Sequence, residues 1–301
     1  MATQLAALEL TRDGRINCNN YVWRGYDRVT HGVYARRDTA QPTDEWAAQR
    51  AQWFTKVRSI MALYSGKPVV LYGPSALQVL GVQLPERLQD WTAVHLMVDD
   101  QKRRTERCDV TWHTSSKPLK IWRLIHGLPV LNPVDHWLQL KGAKLNDMVE
   151  VGDGFLRRQN PLLTIDEMRD RLAELKMIHG VKLARRAMTL VRAGTDSLYE
   201  TRIRLLLVKA GLPTPDVNLA VWCPIANKWY HPDMAYKEAQ LAVEFDGQVH
   251  VGSREQMDID ALRRRQLQDA GWLIITITSS QLRNPSDFIR SVKMALALRT
   301  A

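Results

Sequence analysis

A chain of 301 residues with 45% hydrophobic and 25% charged side chains can bury a large core, enough for two or three domains, and is neither disordered, collagenous nor a coiled coil. Its 42 Lys plus Arg against 32 Asp plus Glu give a formal charge of +10, shared by both halves of the chain, which favours a polyanionic partner met by folded surface. Cys18, Cys108 and Cys223 are too scattered for a disulfide framework or a zinc cluster, and no stretch reads as a leader or a membrane span, so the expectation is a cytoplasmic protein with no membrane partner.

Taken in chain order, the first forty residues hold short elements in which Trp23, Arg24, Tyr26, Arg28, Tyr34, Arg36 and Arg37 interleave, with Gly32 as a turn. Such a mix suits a wing that lies on phosphate, with Arg24, Arg28, Arg36 and Arg37 as candidate DNA contacts. Thr43-Asp44 caps a helical pattern that runs to Tyr64. A strand at 69–72, a helix at 75–80 and strands at 94–98 and 110–113 follow, and helices dominate from Pro133 to about Ala193. Solitary histidines such as His136 read as structural, and the basic helix through Lys182, Arg185 and Arg186 reads as a solvated face. Gly194-Thr195 is the favoured boundary, giving a segment 1–42, a middle region 43–193 and a C-terminal domain 194–301.

The informative stretch is 230–250, a β-hairpin turning near Glu238-Ala239. Period-two alternation places Met234, Tyr236, Leu241, Val243 and Phe245 on one apolar face and pairs 236 with 241, 234 with 243 and 233 with 244. The opposite face carries His231, Asp233, Ala235, Ala242, Glu244 and Asp246. Opposed acids repel, so a divalent cation is expected between Asp233 and Glu244, with Ala235 and Ala242 leaving room for a bulky substrate. His250, past Gly247, is a candidate general base. Glu200 lies in Ser197-Leu-Tyr-Glu200, which is a helix capping box and also a candidate metal ligand. Beyond the hairpin, 254–270 reads as a helix carrying Arg263 and Arg264, candidate phosphate contacts, before a strand at 272–278.

The order of helix with Glu200, strand, Pro232-Asp233 strand, Glu244-Phe-Asp-Gly-x-x-His250 strand, helix with Asp260-x-x-Arg263 and a last apolar strand resembles the PD-(D/E)XK restriction-endonuclease-like superfamily, in the branch related to very-short-patch-repair (Vsr) mismatch endonucleases. The resemblance covers about the last hundred residues. It implies an αβββαβ domain that cuts DNA with Mg²⁺ or Mn²⁺, in which Asp233 and Glu244 match the metal-binding acids, Glu200 the auxiliary helix acid and His250 the histidine near the attacking water. The superfamily's lysine two residues after the second acid is Asp246 here, with Lys237 as the candidate substitute. Gly32-Val-Tyr-Ala35, Gly73-Pro-Ser-Ala76 and Gly127-Leu-Pro-Val-Leu-Asn-Pro133 are similar to motifs of AbiEi-type antitoxin or regulator proteins, which implies a winged-helix N-terminus that binds DNA.

The expectation is therefore an α/β (α+β) chain: a winged-helix-like and mixed α/β region, then a nuclease domain, acting as a metal-dependent endonuclease in mobile-element or defence biology. A DNA-binding regulator or antitoxin with a non-cutting nuclease fold is the alternative, and a homodimer stays open.

Overall fold

The computed structural model describes residues 26–30, 33–36, 45–247 and 254–300, so Arg24, Arg37 and His250 lie outside the described residues. The fold is α/β, and it divides into two compact units between Gly142 and Ala143. No helix among the described residues is long and apolar enough to cross a membrane.

In the N-terminal unit, β1 (Tyr26–Thr30) and β2 (Val33–Arg36) form an antiparallel hairpin that pairs Tyr26 with Arg36 and Arg28 with Tyr34. The backbones of Arg28 and Arg36 lie in this hairpin; their side chains are not among those described. Helix α1 (Glu45–Ala62) follows and buries Trp53, Val57, Ile60 and Met61, the apolar stripe legible in the sequence. A five-stranded sheet comes next, built from β3 (Val69–Leu71), β4 (Val94–Val98), β5 (Val110–Thr114), β6 (Arg123–Ile125) and β7 (Leu128–Val130). Its order is β5-β4-β3-β7-β6. Strands β3 and β4 are wholly apolar along Val69–Leu71 and nearly so along Val94–Val98, as strands covered on both faces must be. Two short helices, α2 (Gly73–Val79) and α3 (Pro133–Trp137), pack against one another, each opened by a proline near its start.

The C-terminal unit begins with helices α4 (Leu145–Phe155), α5 (Ile165–Glu174) and α6 (Val181–Met188). They belong with α7 (Leu198–Lys209) and not to a separate middle domain. The reason is a buried ion pair across Gly194: Arg204 on α7 donates to Asp153 on α4 at 2.7 Å, and Asp153 also accepts from Thr201 Oγ1 and the Arg192 amide. A boundary at 193/194 would cut through that network.

The sheet that carries the candidate site has the order β13-β12-β11-β8, from β8 (Asp216–Val217), β11 (Met234–Tyr236), β12 (Leu241–Asp246) and β13 (Leu273–Thr278). The β11–β12 register pairs Met234 with Val243 and Tyr236 with Leu241, as the alternation requires. The turn spans 237–240, closed by the Gln240 amide donating to the Lys237 carbonyl, with Gln240 in the left-handed region (φ 45). On one face Met234, Tyr236, Leu241 and Val243 meet Ile203 and Leu207 of α7 and Phe288 and Val292 of α9 (Ser286–Arg299). On the other face Ala235 and Ala242 meet Leu267 of α8 (Arg254–Asp269), Trp272, and Val221, Cys223 and Tyr230 of the hairpin β9 (Val221–Cys223) and β10 (Lys228–Tyr230). Both alanines are completely buried. Their small size admits a second protein core and does not leave the expected room for a substrate.

Candidate active site

The carboxyl groups gather where the β11–β12 ladder ends. Asp233 directly precedes β11, Glu244 lies one residue past the last β12 residue paired with β11, and Glu200 sits in the first turn of α7. Ser197 caps that turn, accepting from the Glu200 amide at 3.2 Å. Glu200 folds back so that Oε2 accepts from the Asp196 amide at 2.9 Å and from Asn218 Nδ2 at 3.1 Å. Only half of the expected capping box forms: Ser197 caps the Glu200 amide, but the Glu200 carboxylate takes the Asp196 amide and not that of Ser197.

Asp233 Oδ2 accepts from the Phe245 amide at 2.8 Å, so the acid of one strand is fixed by the backbone of the next. Glu244 is 8% exposed. Its Oε1 lies 2.9 Å from Arg263 Nη2, close enough for an ion pair, yet receives no well-directed hydrogen bond. The same guanidinium nitrogen donates to the His231 carbonyl at 2.9 Å.

The charge of Asp233 acts on both Glu200 and Glu244. Burial pushes Glu200 up to about 7, with the charge of Asp233 adding to the shift. Burial likewise raises Asp233, against the pull of the Phe245 amide and Arg263, and Asp196 raises it further. Glu244 is raised by burial first; Arg263 and Arg264 oppose this, and Asp233 reinforces it. All three acids thus have their charged forms disfavoured, chiefly by burial.

Other expected residues fall differently. Asp246 is exposed at the end of β12, opposite Thr278 of β13. Lys237, expected as a substitute lysine beside the acids, lies in the hairpin turn, at the opposite end of the ladder from Asp233 and Glu244. Arg264 sits close enough to act on Glu244, with Nε buried and lacking a hydrogen-bond partner. His231 turns away from Asp246, with Nδ1 3.1 Å from the Asn218 carbonyl.

Two residues escaped the sequence reading. Asp196 acts on both Glu200 and Asp233 and pairs with Arg158 at 2.7 Å. Asn218 joins the strands: its amide donates to the Asp233 carbonyl at 3.0 Å, and its Nδ2 donates to Glu200 and, at 2.7 Å, to the Gly194 carbonyl. Its backbone is left-handed (φ 48), a conformation that Asn adopts more readily than most residues, and an Asn just past a short strand is the one local hint. Beside the acids, Tyr199 stacks on Phe245 with centroids 4.3 Å apart, and Arg202 lies over the Tyr199 ring.

The donors are all carboxylate oxygens, the chemistry that hard divalent cations prefer, and Glu244 Oε1 is a buried oxygen without a directed donor. They fit Mg²⁺ or Mn²⁺ held by two carboxylates together with water or phosphate. Among the described residues, no three His, Cys, Asp or Glu side chains are already arranged around one ion position.

No protein-family model matches the chain. Two curated relatives from Mycobacterium tuberculosis, "Uncharacterized protein MT2308" and "Uncharacterized protein Rv2248", are each 27% identical over 140 residues, which is 42% of this chain and 51% of the relative. The chain thus spans about half the length of the curated relatives it matches. Among solved structures, the crystal structure of the RV2827C protein from Mycobacterium tuberculosis is similar over 70% of this chain and 78% of that one, at 14% identity and a TM-score of 0.35.

Proposed function

We propose that the chain is a divalent-metal-dependent endonuclease that hydrolyses phosphodiester bonds of DNA, with its C-terminal unit related to the Vsr-like branch of the PD-(D/E)XK superfamily. The observation that carries this reading is that the buried Asp233 lies within electrostatic reach of both Glu200 and Glu244 at one end of the β11–β12 ladder, in a chain of net charge +10. Asp233 and Glu244 would hold Mg²⁺ or Mn²⁺, with Glu200 supporting them. A bound ion supplies a more acidic water and neutralises charge growing on a phosphoryl oxygen.

The chain's own residues do the rest. The Phe245 amide fixes Asp233 through Oδ2, which leaves Oδ1 for the ion. Arg263 and Arg264 bring positive charge to the edge of the acidic patch, where a phosphate would lie. Exposed Asp246 would take a proton from an incoming water, and His250 is proposed for the same task. The β1–β2 hairpin carries Arg28 and Arg36, and with Arg24 and Arg37 it would grip the DNA backbone as an AbiEi-like wing does. A cytoplasmic location is part of this proposal.

A second reading, a DNA-binding regulator or antitoxin whose nuclease fold does not cut, is favoured by one contact: Arg263 stands against the Glu244 oxygen that an ion would need. Incubation with supercoiled plasmid separates the two. The endonuclease reading expects nicked or linear DNA in Mg²⁺ or Mn²⁺, no cutting in chelator, and a loss on the order of 100-fold in Asp233→Asn or Glu244→Gln. Salt-sensitive duplex binding without cutting would support the regulator instead.

A further inference from the structure

The N-terminal unit contains a second constellation that the nuclease reading does not use. A cleft of about 450 Å³ opens beside β4 and β5, a size typical of small-molecule sites. Pro74, Leu88 and Leu140 give it apolar walls, and His95 and His113 stand in it side by side. Asp90 Oδ2 is 3.0 Å from His95 Nε2, and His95 Nδ1 is 3.1 Å from His113 Nε2, so a carboxylate and two imidazoles form one hydrogen-bonded chain. The rings of the two histidines stack, and Tyr72 packs on His113.

Charged groups of both signs stand around this chain. Asp90 is committed: its Oδ1 accepts from the Thr92 amide, Thr92 Oγ1 and the Ala93 amide. Despite partial burial, these bonds and His95 hold its pKa down at about 2, so it is a carboxylate whose charge is already answered. Arg87 and Lys141 line the cleft, both exposed, with Arg87 Nη1 donating to the Gly142 carbonyl at 2.9 Å, and Arg104 acts on His113 from beside it. Burial, then His95, Lys141 and Arg104, push the His113 pKa down to about 4, so the ring is neutral at pH 7. On the far side Tyr72 is kept protonated by burial and by Asp135, and His136, buried behind it, is held neutral.

We propose that this cleft binds a small phosphate monoester with an apolar or aromatic body, its phosphate engaged by Lys141 and Arg87 and its edge hydrogen-bonded by the Asp90–His95–His113 chain. Lysine and arginine around a half-enclosed, otherwise apolar cleft recognise a dianion by charge-assisted hydrogen bonds. A monoester fits better than a polyanion because the enclosed space is nucleotide-sized. The bound dianion offsets Lys141 and Arg104, so the imidazole chain accepts protons more readily when the site is filled.

Titration of the full chain with adenosine 5′-monophosphate, adenosine and inorganic phosphate, followed by calorimetry and by imidazole NMR signals, tests this. The expected result is saturable binding of the monophosphate, no saturation with adenosine, weaker binding of inorganic phosphate, and an upward shift of the His113 titration in the complex. Lys141→Ala and Arg87→Ala change exposed residues, and each should weaken the monophosphate about tenfold. Failure of the His95 and His113 signals to respond at millimolar monophosphate, an equal response to adenosine, or unchanged affinity in both variants would overturn the proposal. None of these readouts depends on DNA cleavage.

Discussion

Arg263 bridges the two strand ends of the acidic patch: one guanidinium nitrogen is 2.9 Å from Glu244 Oε1 and donates at 2.9 Å to the His231 carbonyl. A single helix side chain thereby stands in for positive charge that the acids lack. Arg263→Ala strips that charge from a nearly buried carboxylate and should destabilise the protein by about 1–3 kcal/mol in urea unfolding. Glu244→Gln removes a carboxyl that burial already penalises and should cost clearly less. Equal losses for the two variants would mean that Arg263 acts through packing alone.

Glu200 links stability to pH. Its folded pKa of about 7 lies above the model-compound value of 4.5, so the folded state holds the proton more tightly. The sign follows: stability associated with the neutral acid is complete below about 4.5 and is lost as pH rises through 7. Glu200→Gln keeps an oxygen for the Asp196 amide and Asn218, and should flatten part of the fall in melting temperature between pH 5 and pH 8. The gain at pH 8 is at most about 3 kcal/mol. A variant that loses stability equally at both pH values would contradict the assignment.

The Asp153–Arg204 pair is almost completely buried, with side chains 1% and 2% exposed. Arg204→Met leaves Asp153 charged and unpaired except for Thr201 and the Arg192 amide, and should cost about 3–5 kcal/mol. Adding Asp153→Leu should recover part of that loss, because two apolar groups need no partner. Chemical denaturation of the single and double variants measures the coupling, and strict additivity would refute it.

Ala242 tests whether the second sheet face is filled. Because Leu267 and Trp272 close over it, Ala242→Leu should overpack the face and cost about 1–3 kcal/mol by thermal or urea unfolding. A neutral or stabilising effect would restore the open pocket expected from the sequence.

The hairpin was legible because its alternation is strict: a one-residue slip would send Met234, Tyr236, Leu241 and Val243 to the wrong face, and the observed register pairs them as expected. The approach of Asp233 to Glu244 follows from that register. What covers Ala235 and Ala242 was not legible, since alanine suits an open pocket and a tight packing contact equally well. Asp196 and Asn218 join the site only through tertiary approach of α7, β8 and β11, which no local pattern encodes. The Gly194-Thr195 boundary misled for a related reason: the stretch has linker composition, but the Gly194 amide donates to the Leu156 carbonyl and Thr195 is 2% exposed. The short β6–β7 hairpin, turning at His126 and Gly127, both at positive φ, was also missed.

Whether Asp233 and Glu244 together hold a divalent ion is measured directly by Mn²⁺ titration followed by electron paramagnetic resonance. The expected result is saturable Mn²⁺ binding by the wild-type chain, tightened by duplex DNA and weakened at least about tenfold in both Asp233→Asn and Glu244→Gln. Mn²⁺ binding that is absent with and without DNA, or that survives unchanged in both variants, would contradict it.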